Sequence, residues 1–542
     1  MNKSRLIRIT ILLTFFLSTL WLVLGMPVIF NSPDENANYQ FVAASGAGTL
    51  LIEPLNFDLG DIFHPRSVVS IDGVYAPRSF LGMSATYGVL SVLLNVFGAL
   101  NLILALTPAL AVLALLAWRS IVFKMFENDR LADISALLLL LHPAWWYYSA
   151  RTMMHNVPFV SLLIFGAWFF VQKSGRRWLS LLLGGLMIGL AIAFRASEVI
   201  WIGALLVALT IWMIRSKKWS WREPALVIVG LGVALIPFAV MNNVTYGGPL
   251  TTGYTIDGIS QAVSSYEGSG SESLPSIANV LFPFGIHELA ILRHVWGYGF
   301  WLYPWMSGLA IIGIILAALG HAESKQTTGR FRTWTIGTLV LAAWLAVVYG
   351  SWSFHDNPDP NAVTIANSYV RYWLPLFVLA SPLAARGMIW LTKPVHKAFG
   401  ERVCHVTYAV LIMTCVIFSG IRVFGGEDGL IATREHLWSF QEKREVILSS
   451  TEENAILIVD RADKFVWPDR TVITPLRSET TYDSMPVMTY LGPLYYFGIT
   501  LPEKDMTYLN EDKLAAMALF IEEVATVEDE TLYRIAQVAS SQ

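Results

Sequence analysis

The sequence predicts a polytopic α-helical membrane protein of about eleven transmembrane helices, followed by a small extracytoplasmic α/β domain. Hydrophobic residues make up 55% of the 542 residues and charged residues only 14%, whereas roughly 25% are charged in ordinary soluble domains. The 20 Trp and 20 Tyr suit the two membrane interfaces. The net charge of −3 gives no reason to expect a nucleic-acid partner.

The first span is predicted over Ile7–Phe30, with Lys3, Arg5 and Arg8 before it on the cytoplasmic side. A cleaved signal peptide is the alternative, but the apolar part is too long and no small-residue cleavage site precedes Pro33. We therefore expect an uncleaved span in the plasma membrane, with the N-terminus in the cytoplasm.

Clusters of Lys and Arg mark the cytoplasmic ends of the later spans, because loops on that side carry an excess of positive charge. Residues Phe80–Gly98 are also apolar, but counting them as a span would place Arg119, Lys124 and Arg130 outside. We therefore expect an outer-face or re-entrant helix there. The later spans are predicted over Ala99–Phe123, Leu131–Ala150, Val157–Val171, Trp178–Phe194, Val199–Ile214, Pro224–Met241, His294–Leu319, Trp334–Tyr349, Tyr369–Leu391 and Val403–Val423.

This assignment makes residues 1–423 a transmembrane domain and residues 424–542 a soluble domain on the extracytoplasmic side. Two long loops, 31–98 and 242–293, are expected on the same outer side. The second of them is rich in Gly and Ser and suits either a mobile lid or a flexible connector.

The C-terminal domain is predicted from a rise in charge and from two short apolar runs between turn signals. Strands are expected over Asn454–Asp460 and Arg470–Thr474, and a helix over Leu514–Val524. No glycine-rich phosphate loop is present, so a nucleotide cofactor is not expected. Cys404 and Cys415 lie in one apolar segment, so neither a disulfide framework nor a cysteine zinc site is expected.

An acidic pair, Asp34 and Glu35, follows the first span directly, where a membrane helix meets water. Pro33 prevents simple continuation of that helix. Asn31 or Ser32 can therefore cap a new helix whose first turn carries both acids, where the helix dipole favours them. A capped carboxylate at the membrane surface is also well placed as a general base, so the two interpretations are compatible.

Basic and polar side chains gather at the predicted outer ends of the spans, against the positive-inside trend. Snorkelling explains Arg151 or Arg371 taken alone, and Arg195 can pair with Glu198 one turn on. Together the arginines predict an anionic ligand, phosphate, because guanidinium matches phosphate bidentately. The candidate phosphate-binding residues are Arg66, Arg78, Arg151, Arg195 and Arg371, and the other candidate site residues are His64, His155, Asn156 and Tyr372.

These motifs together resemble the GT-C glycosyltransferases, in the branch of the protein O-mannosyltransferases and aminoarabinose transferases. The resemblance rests on the acidic pair after the first span and on three later segments, Ser149–Pro158, Asn243–Tyr254 and Asn367–Pro375. Asn156 stands where many members carry Asp. The pattern covers most of residues 1–420.

The resemblance implies an inverting hexosyl or pentosyl transferase that takes a sugar from a polyprenyl-phosphate donor. The acceptor would be a lipid, a glycan or a protein on the extracytoplasmic face, and membrane lipid would surround the enzyme. In family terms Asp34 is the general base, Glu35 supports it, and the arginines hold the donor phosphate. This branch generally works without a metal, so no cofactor is expected; a divalent ion held by Asp34 or Glu35 remains an alternative.

Two other classes compete with a transferase. A transporter or flippase of a lipid-linked saccharide would also need outward basic residues, but the sequence shows no internal repeat and no paired broken helices. A sensor or assembly scaffold that presents the C-terminal domain would not need the acidic pair. An assay for the release of polyprenyl phosphate distinguishes a transferase from a transporter and from a scaffold.

Overall fold

The structure, a computed structural model, describes residues 3–54, 63–172, 175–256, 281–321, 325–354, 359, 362–474 and 478–538. Its internal contacts divide the chain into two compact units. We call Met1–Leu22, Leu104–Val240 and Asp257–Thr433 the helical unit. We call Val23–Ile103, Met241–Ile256 and Arg434–Gln542 the mixed unit, because it contains both helices and strands.

The described part of the helical unit is made of helices. From the first to the last they are Lys3–Leu20, Leu106–Phe126, Asp129–Leu140, Pro143–Ala150, Asn156–Val171, Arg177–Phe194, Val199–Arg215, Arg222–Tyr246, Glu288–His294, Val295–Trp301, Pro304–Ala318, Lys325–Gly350, Ser368–Tyr372 and Leu374–Phe424. The helix Leu430–Ser450 then leads into the mixed unit.

Within the described residues, six helices are long and apolar enough to cross a membrane, and a bent helix pair makes a seventh if it counts as one span. Shorter apolar helices at Leu6–Leu20, Leu81–Val96 and Asn156–Val171 add to these. A multi-pass membrane protein is therefore confirmed, whereas the total of eleven crossings stays a prediction. The six are Leu100–Phe126, Arg177–Phe194, Ala196–Arg215, Arg222–Tyr246, Gln326–Gly350 and Leu374–Phe424.

Two predicted continuous spans are broken in the structure. Leu131–Ala150 contains a helix end at Leu140 and a new helix from Pro143, whose first turn is capped by His142 Nδ1 accepting from the Ala144 N–H at 3.3 Å. His294–Leu319 bends by 99° before Pro304. In both places a proline supplies the break, because it has no N–H to donate and is favoured in the first turn of a helix.

Close packing between two helices of this unit depends on glycine. A Cβ at Gly313 would overlap the backbone of Leu383, and a Cβ at Gly387 would overlap that of Leu309. The helices Pro304–Ala318 and Leu374–Phe424 therefore approach each other at small residues, as membrane helices often do. Gly400 interrupts the second helix with φ of 78°, which agrees with the two separate spans predicted on either side of it.

The mixed unit contains a hairpin, a five-stranded sheet and several helices. Strands β1, Val68–Ile71, and β2, Val74–Pro77, form the antiparallel hairpin around Asp72-Gly73, where both residues have positive φ. Asp-Gly is a preferred pair for such two-residue turns. Two of the helices, Pro33–Gly46 and Leu81–Val96, lie along the chain before and after the hairpin. The second is the helix predicted within Phe80–Gly98.

The five-stranded sheet has the order β4-β3-β5-β7-β6. Strands β3, β4 and β5 are parallel, and β7 pairs antiparallel with both β5 and β6. Its core includes Ile456, Ile473 and Tyr533. The strands are β3 Ile456–Val459, β4 Thr471–Ile473, β5 Leu494–Ile499, β6 Leu519–Val527 and β7 Glu530–Gln537.

The predicted strands at Asn454–Asp460 and Arg470–Thr474 are confirmed as β3 and β4. The predicted helix at Leu514–Val524 is wrong. After one short turn at Ala515–Met517 the chain becomes β6, which pairs with β7 along its whole length. The apolar spacing fits a helix in isolation, but pairing with β7 buries Leu519 and Ile521 in the sheet core instead.

Candidate functional site

Asp34 and Glu35 occupy the first turn of the helix Pro33–Gly46. Ser32 has extended backbone angles, and its Oγ accepts a hydrogen bond from the Asp34 N–H at 3.2 Å, while Pro33 takes the first helical position. The predicted cap is thus confirmed, with Ser32 as the capping residue. The acids stand where the helix dipole favours negative charge.

The two carboxylates point in different directions, because successive residues of a helix lie about 100° apart. The Glu35 side chain is buried, with 3% of the residue exposed. Asp34 is half-buried and lines a small pocket. Of the two acids, Asp34 is therefore the one that a bound molecule can reach from this pocket.

Side chains from three segments of the mixed unit line the Asp34 pocket. Ala37 and Asn38 lie one turn along the same helix, and they share the face of Asp34. Ser67 Oγ donates to Asp34 Oδ1 at 2.5 Å, and Ser79 Oγ donates to the buried Asn38 Oδ1 at 3.3 Å. The complete lining is Asp34, Ala37, Asn38, Ser67, Arg78, Ser79 and Tyr254.

The β1–β2 hairpin brings Ser67 and Arg78 together. Ser67 precedes β1 and Arg78 follows β2, and the Arg78 N–H donates to Ser67 O at 3.1 Å. Both residues therefore stand at the open end of the hairpin, beside Asp34. Of the predicted phosphate-binding arginines, Arg78 is the one that lines the Asp34 pocket.

The segment Met241–Ile256 of the mixed unit packs against the end of the hairpin and contributes Tyr254 to the pocket. Tyr246 Oη donates to Pro77 O at 2.6 Å, and a Cβ at Gly253 would overlap the Pro77–Arg78 backbone. This close approach requires glycine and places Tyr254 on the pocket, where its ring centroid lies 5.1 Å from that of Phe80. The family-like segment Asn243–Tyr254 thus packs beside the acidic position.

Arg66 and His64 have structural contacts elsewhere in the mixed unit. The Arg66 guanidinium and backbone N–H both bind the Asp463 carboxylate, and the Asp463 side chain is 1% exposed. His64 Nδ1 lies 2.9 Å from Pro65 O, and its backbone bridges to Thr474 next to β4. Neither side chain lines the Asp34 pocket, and a role for either in binding phosphate or acceptor stays a prediction.

In the helical unit the short helix Ser368–Tyr372 presents Arg371 and Tyr372. Asn367 caps this helix, with its Oδ1 accepting from the Tyr369 N–H at 3.3 Å. Arg371 Nη2 donates to Ser368 Oγ at 2.7 Å, and its Cζ lies 5.3 Å from the centroid of the Tyr372 ring. Arg371 is half-buried.

Arg195 lies behind Tyr372 in a buried polar network. Its Nη2 binds Glu198 Oε1 at 2.8 Å and Tyr349 Oη at 3.2 Å, and its Cζ stands 4.3 Å from the centroid of the Tyr372 ring. Trp201 Nε1 donates to the other Glu198 oxygen at 2.5 Å. The predicted pairing of Arg195 with Glu198 is confirmed, and both side chains are buried.

Arg151, His155 and Asn156 belong to the tight connection between two helices. Arg151 is buried, and its Nη1 donates to Tyr147 Oη at 3.2 Å. Asn156 Nδ2 reaches Arg371 O at 3.5 Å, and His155 is buried beside it in sequence. The structure therefore brings Asn156, Arg195, Arg371 and Tyr372 into one cluster, with Arg151 and His155 on the adjoining turn.

The candidate residues from the sequence do not include four of the polar residues that line the Asp34 pocket. Asn38 could have been found, because it lies four residues after Asp34 on one helix face. Ser67, Ser79 and Tyr254 reach the pocket through the hairpin and through a distant segment, and no local pattern indicates that. Within the described residues, no three His, Cys, Asp or Glu side chains stand close enough together to hold a metal ion.

No protein-family model and no curated protein matches this chain. Among solved structures, ArnT from Cupriavidus metallidurans bound to undecaprenyl phosphate is similar, with 13% identity, a TM-score of 0.56 and coverage of 99% of each chain. The apo structure of the same protein gives 13% identity, a TM-score of 0.55 and the same coverage. The chain is therefore a multi-pass membrane protein whose fold resembles that of ArnT over nearly its whole length.

Proposed function

We propose that this protein is a membrane glycosyltransferase that transfers a sugar from a polyprenyl-phosphate carrier to a hydroxyl group outside the cytoplasm. The observation that carries the proposal is the full-length likeness of its fold to ArnT, whose structure holds undecaprenyl phosphate. The likeness alone indicates the fold and not the chemistry. The Asp34 pocket adds a chemical argument, because it contains a carboxylate that a bound molecule can reach.

In the proposed reaction Asp34 accepts the proton of the acceptor hydroxyl as the hydroxyl oxygen attacks the anomeric carbon. The new bond joins that oxygen to the carbon, and the bond between the carbon and the phosphate oxygen breaks. The electron pair leaves with polyprenyl phosphate, and attack from the opposite face inverts the anomeric centre. A positioned base of this kind contributes about 10²–10⁴-fold to such a step.

The proposed phosphate-binding residues are the half-buried Arg371 and Arg78, with Arg151 as a further candidate on the turn beside Arg371. A guanidinium can bind two phosphate oxygens at once and stabilise the charge that develops on the leaving group. Arg195 has a different proposed role, because Glu198 already neutralises it. It supports the Tyr372 ring on which Arg371 rests.

The finer assignments remain part of this proposal. They are a hexosyl or pentosyl donor, a lipid, glycan or protein acceptor, catalysis without a metal and about eleven crossings with the N-terminus inside and the C-terminus outside. Each follows from the sequence patterns and from the resemblance of their motifs to GT-C enzymes.

The direct test uses purified full-length protein in lipid nanodiscs with a panel of polyprenyl-phosphate sugars. A transferase releases free polyprenyl phosphate in a protein-dependent manner, and the yield rises when an acceptor lipid extract is added. A flippase moves the intact donor between leaflets of a proteoliposome without releasing it. Translocation without release would replace the transferase proposal with the transporter alternative.

A further inference from the structure

Ser67 has a backbone conformation that L-residues rarely adopt. Its φ is 61°, in the left-handed region, where the side chain crowds the backbone. The other positive-φ residues of this hairpin, Asp72 and Gly73, form its two-residue turn, for which that conformation is normal. Ser67 lies at the opposite end, where Arg66 and Ser67 form the turn that leads into β1, and it lines the Asp34 pocket.

The neighbours of Ser67 hold it in place on both sides. Before it, Arg66 is fixed to the buried Asp463 through its backbone N–H, at 3.0 Å, and through its side chain. After it, Val68 begins β1, and Ser67 O accepts from the Arg78 N–H at 3.1 Å. These contacts fix the chain on both sides of Ser67. In this left-handed conformation the Ser67 hydroxyl donates to Asp34 Oδ1 at 2.5 Å.

We infer that Ser67 is a positioning residue that orients the Asp34 carboxylate and stabilises its ionised form. A hydroxyl that donates to a carboxylate favours the charged state over the protonated one, and a base must be ionised to accept a proton. Backbone strain that the surrounding structure maintains is common where a side chain must be held in place for function. A role of this hydrogen bond in catalysis rests on the proposed function. Its effect on the ionisation of Asp34 does not depend on that function.

Two substitutions distinguish the effect of the Ser67 hydroxyl from the effect of the backbone strain. Ser67→Ala removes the hydroxyl and keeps the strained conformation, whereas Ser67→Gly removes the hydroxyl and relieves the strain. Asp72→Gly is the matched control, because it also replaces a positive-φ residue of the same hairpin but has no place in the Asp34 pocket. Ser67→Asn is the rescue variant, since Asn tolerates this conformation and its amide can donate to Asp34.

The measurement is the pH dependence of carbodiimide labelling at Asp34 in the purified full-length protein, followed by peptide mass spectrometry. Carbodiimides react with protonated carboxyl groups, so the labelling midpoint reports the protonation of Asp34 without any sugar substrate. We expect Ser67→Ala and Ser67→Gly both to raise the midpoint by about one pH unit. Asp72→Gly should leave the midpoint unchanged, and Ser67→Asn should restore most of the shift.

An unchanged midpoint in Ser67→Gly, or an equal shift in Asp72→Gly, would overturn the inference. In the transfer assay, the acidic limb of the pH–rate profile of Ser67→Ala should shift to higher pH by the same amount as the labelling midpoint. If wild-type protein releases no polyprenyl phosphate while the Ser67 variants still shift the labelling, the proposed function fails and the positioning role stands.

Discussion

At the scale of single residues, Arg371 and Arg195 show how two similar side chains take different roles. Both lie within about 6 Å of the Tyr372 ring. Arg195 is neutralised by a buried carboxylate, and loss of one partner of such a pair would leave a buried charge uncompensated at a cost of about 3–5 kcal/mol. Arg371 donates to the Ser368 hydroxyl and the Met154 thioether, and it is only half-buried, whereas Arg195 is buried.

This contrast leads to a prediction about the donor. Arg371→Ala should raise the KM for the polyprenyl-phosphate sugar at least tenfold, because one charge-assisted contact to phosphate is worth about 1.5–3 kcal/mol. Arg371→Lys should recover only part of that loss, since an ammonium group lacks the planar fork. Steady-state kinetics at equal protein abundance provide the measurement.

The control for Arg371 is Arg444→Ala, which removes a surface guanidinium that pairs with Asp469 in the mixed unit. Its KM for the donor should match the wild type. If all of Arg78→Ala, Arg151→Ala and Arg371→Ala kept wild-type donor affinity, these arginines would be structural and the phosphate would be held elsewhere.

How far the sequence predicts the site also varies from residue to residue. The Ser32 cap and the place of Asp34 in the first turn follow from a local signal, a serine before a proline and two acids. The partners of Asp34 do not follow from a local signal, because Ser67 reaches Asp34 only after β1 pairs with β2. The pairing of Arg66 with Asp463 is hidden for a similar reason: the two residues are 397 positions apart in the sequence.

At the scale of elements, composition predicts where apolar helices lie better than it predicts where they break. The span over Val157–Val171 agrees with the helix Asn156–Val171. Leu131–Ala150 is interrupted because His142 and Pro143 provide a cap and a new start within an apolar run. The helix predicted at Leu514–Val524 is a strand because β7 supplies a partner that the local pattern does not contain.

Glycine packing gives a prediction at this scale. Gly313→Ala should destabilise the helical unit by about 1–3 kcal/mol, because its Cβ would overlap the Leu383 backbone and the two helices would have to separate. Gly308→Ala is the matched control on the same helix, where a Cβ meets open space. It should be neutral or stabilise by up to about 1 kcal/mol, since Ala favours a helix over Gly.

Thermal unfolding of both variants in one detergent measures this difference. We expect a lower midpoint for Gly313→Ala than for Gly308→Ala. Equal midpoints would mean that the close approach of Pro304–Ala318 to Leu374–Phe424 does not contribute to stability.

At the scale of the whole molecule, each unit is assembled from segments that are far apart in the sequence. The mixed unit combines the region after the first span, the short segment Met241–Ile256 and the C-terminal region. The sequence predicts a membrane part and a C-terminal α/β part, but it divides them at a single boundary near residue 424. A discontinuous unit depends on long-range contacts such as the Tyr246 hydroxyl to Pro77 O, and no local pattern encodes those.

Topology is the prediction that belongs to this scale. A single cysteine at position 541, in a background without Cys404 and Cys415, should react with an impermeant maleimide in intact cells. A cysteine in place of Ser216, beside Arg215 and Lys217, should react only after the cells are permeabilised. The reverse pattern, with both proteins present at normal abundance, would invert the predicted orientation.

The central claim is that Asp34 is the general base of a sugar transfer, and the most direct measurement is the transfer rate of Asp34→Asn. Asn keeps the shape of the side chain, so the fold should be retained, but it cannot accept the acceptor's proton. Polyprenyl phosphate release should fall by about 10²–10⁴-fold, while Asp72→Asn on the exposed hairpin turn keeps the wild-type rate. Near wild-type release by a folded Asp34→Asn protein would contradict the account.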